Sequence, residues 1–240
     1  MLKDALGVWH EAIRTRGFAF AHADDVRGCL ATAALGEWVD FADSWNRLGP
    51  DSYLAATGRQ RRRRHAVFHS RAGALERQPH QPHFQARTYN ALQGDIERWF
   101  EPIEDAVADG VTLRALIAFG DAVFGDLATA REARVEVHQF RIEASAGHPG
   151  EPTPEGVHRD GVDFVLVALV QRENIASGTT TIHDANGTML GEFTLAQPLD
   201  AALVDDARVF HGVTPVEPLD PTRPAFRDVL VVTYRALPGE

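Results

Sequence analysis

Residues 163–171 read Asp163-Phe164-Val165-Leu166-Val167-Ala168-Leu169-Val170-Gln171, an uninterrupted apolar run bounded by polar residues. It is too short for an independent helix and rich in β-branched residues, so it reads as a strand buried on both faces. Its neighbours have the same texture. Upstream, VEVHQFRIEA (135–144) alternates apolar and polar. Downstream, GTTTIHD leads into Ala185-Asn186-Gly187, and Asn-Gly is a strong hairpin signal. MLGEFTL, AALVDDARVFHGV and FRDVLVVTYRAL complete the series. Short strands divided by turn residues at this spacing predict an all-β sandwich or barrel from about Arg134 onward.

Residues 1 to about 131 read as helix and loop. Ala5–Arg16, Asp25–Asn46 and Val111–Ala130 carry apolar residues at helical spacing, with Asp24 or Asp25 as the N-cap of the second. Residues 51–90 hold an arginine run, Arg59 and Arg61 to Arg64, and a Pro/His-rich stretch, QPHQPHFQ, that reads as extended loop. No internal repeat or low-complexity linker divides the chain. One domain of residues 1–240 is expected, with the mostly helical segment 1–131 packing on a β core formed mostly by 132–240.

Just before the apolar run stands Val157-His158-Arg159-Asp160-Gly161. His and Asp two apart on an extended segment point to one side, because the strand period is two. Both can therefore reach one metal ion. Val209-Phe210-His211-Gly212-Val213, on a later strand, offers the third ligand. Two histidines and a carboxylate on one face of a metal leave three positions open, the facial triad of non-haem iron(II) oxygenases. Arg227 then opens the apolar strand Phe226–Val232, where a guanidinium is costly unless paired. Its planar fork suits the distal carboxylate of 2-oxoglutarate, or alternatively the side chain of Asp228. Arg223 is a rival, but it precedes Pro224 in a loop.

Composition excludes several other chemistries. The formal net charge of −10 argues against a nucleic-acid partner. Lys3 is the sole lysine, which removes Schiff-base and P-loop chemistry. Cys29, the one cysteine, reads as a small packed residue. No Gly-x-Ser-x-Gly elbow or strand–GxGxxG–helix unit occurs. There is no signal-peptide apolar region and no membrane-spanning run, so a cytoplasmic protein without a membrane partner is expected. His69, His80, His83 and His183 have no ligand spacing and read as loop residues. The arginine run reads as a solvated or acid-paired face, with attraction of an anionic cosubstrate as the alternative.

Six stretches together resemble the bacterial 2-oxoglutarate/Fe(II)-dependent dioxygenases of the isoleucine-hydroxylase type. They are Arg61–Arg64, Gln85 through Tyr89-Asn90, Arg98–Pro102, Glu155–Gly161, Val209–Pro215 and Arg227–Val231. The resemblance implies a double-stranded β-helix (jelly-roll, cupin-like) core with flanking helices, an α+β chain that is mainly β. It implies iron ligands at His158, Asp160 and His211 and a cosubstrate anchor at Arg227. The implied activity is hydroxylation of an unactivated C–H bond of a free aliphatic L-amino acid. The cofactors are Fe(II), 2-oxoglutarate and O2, with ascorbate as activator and succinate and CO2 as coproducts. Retention of Asp160 favours hydroxylation, since related halogenases lack that carboxylate. Ala176-Ser177-Gly178-Thr179 departs from the paired glycines such enzymes often show.

For the substrate, Arg141 and Gln139 share one face of their strand and His138 and Phe140 the other, and either face can be the inner one. Arg159, between two ligands, points away from the metal on a regular strand. Gln85, Tyr89 and Asn90 are pocket residues by resemblance. Two other functions fit the same residues: a 2-oxoglutarate oxygenase of another amino-acid derivative or a peptide, and a cupin-like metal-binding sensor without catalysis.

Overall fold

The computed structural model describes residues 2–55, 61–71, 73–90, 92–128 and 132–237. The described helices are α1 (Leu2–Arg16), α2 (Ala23–Cys29), α3 (Thr32–Gly36), α4 (Trp38–Asp43), a 3-10 turn (Ser44–Arg47), α5 (Ser52–Ala55), α6 (Asp105–Ala108) and α7 (Val111–Phe124). The strands are β1 (Phe18–Ala21), β2 (Arg61–Arg71), β3 (Ala74–Arg77), β4 (Glu132–Ala144), β5 (Phe164–Glu173), β6 (Ile175–Ser177), β7 (Thr179–His183), β8 (Met189–Thr194), β9 (Ala201–Asp205), β10 (Phe210–Val213), β11 (Val216–Pro218) and β12 (Ala225–Ala236). A large antiparallel sheet runs β1-β9-β5-β12-β4-β2-β3, and the shorter β10-β7-β8 and β11-β6 sheets face it. This is the jelly-roll.

Parity along β12 shows how the layers form. Leu230, Val232 and Tyr234 are buried with Trp9, Val26, Trp45, Leu116 and Phe124, so this face of the sheet carries the helices. Val229 joins Ile175 and Val216 of the short strands on the opposite face. The β5 run divides likewise, Leu166 and Ala168 toward the helices and Val165 and Leu169 toward the short strands. That two-sided burial is why it is uniformly apolar.

The N-terminal half differs from the sequence reading. It supplies β1, β2 and β3 to the large sheet, so residues 1–131 are not only helix and loop. The arginine run lies on β2, with Arg59 outside the described residues. The helix expected over Asp25–Asn46 breaks at Leu30, which is extended (φ −87°, ψ 144°), and again at Glu37. The breaks let Val26, Ala34, Phe41 and Trp45 all turn inward. Asp24 and Asp25 occupy the first turn of α2; its N-cap is His22, and the free Ala23 N–H donates to Asp200 Oδ1 at 2.9 Å. α7 stops at Phe124 and Ala130 lies outside the described residues. No described helix is long and apolar enough to cross a membrane.

On the helix-facing side, Arg141 of β4 donates twice to Asp228 of β12, at 2.8 and 2.6 Å. Asp228 is fully buried, which pushes its carboxyl up to about 6 against the pull of Arg141. Arg141→Met strands a buried carboxylate and is expected to cost about 3–5 kcal/mol at pH 7. A raised acid pKa means the folded state binds more protons, so stability falls as pH rises through that range. The defect should therefore shrink between pH 7 and pH 5. Urea midpoints of the variant and the parent at both pH values check this.

Candidate metal centre and cavity

His158 and His211 form an isolated antiparallel bridge, each backbone N–H donating to the other's carbonyl at 2.9 Å. Their rings lie 4.7 Å apart. Asp160 sits between them, Oδ1 at 3.7 Å from His158 Nε2 and Oδ2 at 3.5 Å from His211 Nε2. Metal bonds of about 2.1 Å put neighbouring ligand atoms roughly 3 Å apart, so small side-chain rotations close this set on an ion. His158 Nδ1 is 3.0 Å from Gly156 O and donates to it, which presents Nε2 to the metal position. Burial opposes charge here, yet Asp160 and Glu155 push His158 up to about 9. The same contacts, with His211, hold Asp160 well below the usual carboxylate range despite burial. The donor set is one that a cation completes.

Asp206, which sequence reasoning missed, builds the turn. It is 1% exposed and accepts from the backbone N–H groups of Asp160, Gly161 and Val162 at 2.9, 2.8 and 3.1 Å. Its Oδ1 also lies 3.8 Å from His211 Nδ1, which has no closer partner. Gly161 has φ +78°, and a Cβ there would meet the Tyr89 ring at 2.4 Å, so only glycine fits.

Arg227 lies on the inner face of β12 in the same cavity. It is 2% exposed, and its Nε and Nη2 are buried without partners. The carboxylate next door is spoken for, because Asp228 faces the opposite side with Arg141. The adjacent strand presents Arg172, which donates to the carbonyls of Leu195, Ile175 and Ser177. Burial, then Arg172, pull Arg227 down to about 10. A buried fork with two free donors and no counter-charge among the described residues has the chemistry to receive a carboxylate. Ser177 takes the left-handed conformation (φ 61°) beside Gly178, so the departure from paired glycines keeps the turn. Arg223 is exposed and pairs with Glu173 at 3.1 Å, away from the cavity.

The inner face is the His138/Phe140 face of β4. Gln139 and Arg141 are therefore not pocket residues: Gln139 Nε2 donates to Ser44 Oγ and Arg141 to Asp228. Arg159 also turns away, donating to Ala207 O and covering the Phe210 ring, and Tyr89 packs on Gly161 outside the cavity. Gln85 and Asn90 do line it. Gln85 Nε2 approaches Asp160 Oδ1 at 3.3 Å, while its Oε1 accepts from Asn90 and Arg98.

A second polar group was not read from the sequence. His65 Nε2 and His83 Nδ1 donate to Glu136 Oε2 at 2.9 and 2.8 Å, Arg134 donates to Oε1, and His138 stacks on His65. His69, His80 and His183 stay apart from it. Its donor atoms are close enough for a metal, but Arg63 Nη2 lies 2.9 Å from His138 Nδ1. That fixed cation and the saturated carboxylate favour a hydrogen-bond network of neutral imidazoles. Burial lowers His65 to about 4 and lowers His83 and His138 as well. Burial alone would raise Glu136, but the two imidazole N–H groups hold it far below its ordinary value.

A family model described as 2OG-Fe dioxygenase matches residues 42–233. The 3(1)-hydroxy-L-isoleucine 4-dioxygenase of Pantoea ananatis is 24% identical over 159 residues, 64% of each chain, so the match spans less than two thirds of that relative. The crystal structure of a bsmA homologue from Methylobium petroleophilum PM1 superposes with a TM-score of 0.84 at 37% identity, covering 96% of this chain and 93% of that one. IDO from Bacillus thuringiensis shares the fold, with a TM-score of 0.79 at 18% identity and coverage of 97% and 96%.

Two outcomes follow from the geometry. His158→Ala and His211→Ala should each abolish the visible absorption of bound Co(II), and Asp206→Asn should weaken binding roughly 10- to 100-fold. Unchanged titrations would contradict the site. Separately, a histidine with a depressed folded pKa leaves the unfolded state holding more protons between about 4 and 6.5, so stability is lost as pH falls through that window. For His65 this is on the order of 3 kcal/mol, and His65→Gln should flatten the acid limb of a stability–pH curve.

Proposed function

This chain belongs to the 2OG-Fe dioxygenase family, and we propose from that premise that it hydroxylates an unactivated C–H bond of a free aliphatic L-amino acid. The family's cofactors are Fe(II), 2-oxoglutarate and O2. One observation carries the reading: an unpaired buried guanidinium, Arg227, shares a cavity with a two-histidine, one-carboxylate group. A sensor that only bound metal would have no use for a buried cation lacking a counter-ion, whose desolvation costs several kcal/mol.

His158, Asp160 and His211 would hold the iron, and Arg227 the distal carboxylate of 2-oxoglutarate. When bound, iron and 2-oxoglutarate supply the oxidising chemistry with O2, yielding succinate, CO2 and a hydroxylated product. The chain's own residues set the geometry. Asp206 and the Gly156 carbonyl fix the ligand-bearing turn and the His158 tautomer. Gln85 steadies Asp160 from the cavity side. Arg227 orients the cosubstrate by a two-point contact that a lysine could not make.

The substrate class is supported by the walls. Ile142, Val162, Val165, Val167, Val229 and Val231 line the cavity, and they suit an unbranched or branched alkyl chain. The Pantoea ananatis relative, named for a hydroxylated isoleucine, points the same way.

The test is aerobic incubation with Fe(II), 2-oxoglutarate, ascorbate and a panel of L-amino acids. Leucine-, isoleucine- or methionine-like substrates should give succinate and a product about 16 mass units heavier. Succinate formation with only peptides or acylated amino acids would move the substrate to that class. Metal binding with no turnover of any substrate would support the sensor instead.

A further inference from the structure

The β2–β4 wall of the cavity carries charge that neither the triad nor Arg227 uses. Arg61 and Arg63 share the inner face of β2, paired across the sheet with Ile142 and Phe140. Arg62 and Arg64 turn outward to Glu143, Glu101 and Glu104, and they form the acid-paired outer face of β2. Arg63 is 3% exposed. Its guanidinium lies between the rings of Phe100 and Phe140, 3.6 and 4.6 Å from their centroids. Nη2 donates to His138 Nδ1, and Nε is buried with no partner.

The charge on this wall does not balance. Asp51 accepts from Arg61 at 2.8 Å and stands 3.7 Å from Arg63. Arg98, 1% exposed, spends both terminal nitrogens on the neutral amides of Gln93 and Gln85. Glu136 is taken by Arg134 and two imidazoles. Glu155 and Asp160, the other carboxylates that line the cavity among the described residues, lie at the metal side, Glu155 3.5 Å from His158 Nε2. Among the described residues these three guanidiniums have one close carboxylate, Asp51, while Glu136 and Glu155 act on them from further off and are already engaged, and buried like charges of this kind favour an anion.

This group stands apart from Arg227 along the sheet. The pairings Arg61–Ile142–Arg227 place the two arginines in one cross-sheet row, two strands apart. Their backbones are therefore about 10 Å from each other.

We propose that Arg63, backed by Arg61 and His138, is a second carboxylate-binding subsite that takes the carboxylate of the primary substrate and lays its alkyl chain over Val229 and Val231. Arg63 is preorganised by its aromatic sandwich, so little side-chain entropy is lost on binding. The identity of the substrate as a free amino acid rests on the function proposed for the site; the anion subsite does not.

Calorimetry on the Fe(II)-loaded protein, anaerobic and saturated with 2-oxoglutarate, separates the two. The ligands are 4-methylpentanoate and 4-methylpentanamide, which differ only in the acid group. The parent should bind the acid roughly 10- to 100-fold tighter than the amide. Arg63→Met should erase that preference and Arg63→Lys retain part of it, with 2-oxoglutarate affinity unchanged in both. If Arg63→Met does not fold, Arg61→Gln, at the less buried edge, should still reduce the preference. The proposal is overturned by a parent that shows no preference or binds neither ligand, by a preference that survives Arg63→Met or Arg61→Gln, or by a parallel loss of 2-oxoglutarate affinity. A parent that prefers the acid but turns over no amino acid keeps the subsite and removes the amino-acid hydroxylase reading.

Discussion

The guanidinium of Arg227 is buried on the inner face of β12, and no carboxylate among the described residues neutralises it. Moving such an ion out of water costs several kcal/mol, which a fold recovers only through a counter-charge and hydrogen bonds. Here the carboxylate next in the chain, Asp228, lies on the opposite face of the sheet with Arg141. The neighbouring cation Arg172 makes matters worse. No described residue supplies the partner of Arg227, and the geometry of β12 decides where a partner from solution would lie. Strand parity places Val229 and Val231 beside it and the bridge of His158 and His211 across the cavity.

The same reasoning extends across the sheet. Registers β12–β4 and β4–β2 carry two further arginines, Arg61 and Arg63, onto the inner face. Between these cationic ends the wall is aliphatic and aromatic. On the reading proposed above, these two cationic ends take the carboxylates of two different molecules, the cosubstrate at Arg227 and the substrate at Arg63, and His158, Asp160 and His211 line the same cavity. Neutral imidazoles at His65, His83 and His138 make this possible, because burial suppresses their protonation and keeps further positive charge off the wall.

Much of this was legible in the sequence. The β5 run announced a strand with both faces covered, and His158, Asp160 and His211 could be grouped from a period of two and one later strand. Arg227 was conspicuous as a charge opening an apolar strand. What stayed hidden has a physical origin. β2 is an eleven-residue strand whose charged residues mask its alternation, since Arg62 and Arg64 face outward while Arg61 and Arg63 face inward. The face of β4 was undecidable because both parities carry polar groups; pairing with β2 chose His138 over Gln139 and Arg141. Asp206 gave no signal, because its role is to accept backbone N–H groups from a turn distant in sequence. The helix expected over Asp25–Asn46 is broken at Leu30 and Glu37, where Val26, Ala34, Phe41 and Trp45 turn into the core.

Whether the buried cation is the cosubstrate anchor is decided by the affinity of the metal-loaded protein for 2-oxoglutarate with and without the Arg227 guanidinium. Loss of a two-point charged contact in Arg227→Met should weaken binding roughly 100-fold or more while leaving metal affinity intact. An unchanged dissociation constant would mean that the buried cation serves some other anion, and the assignment of the cavity would fall.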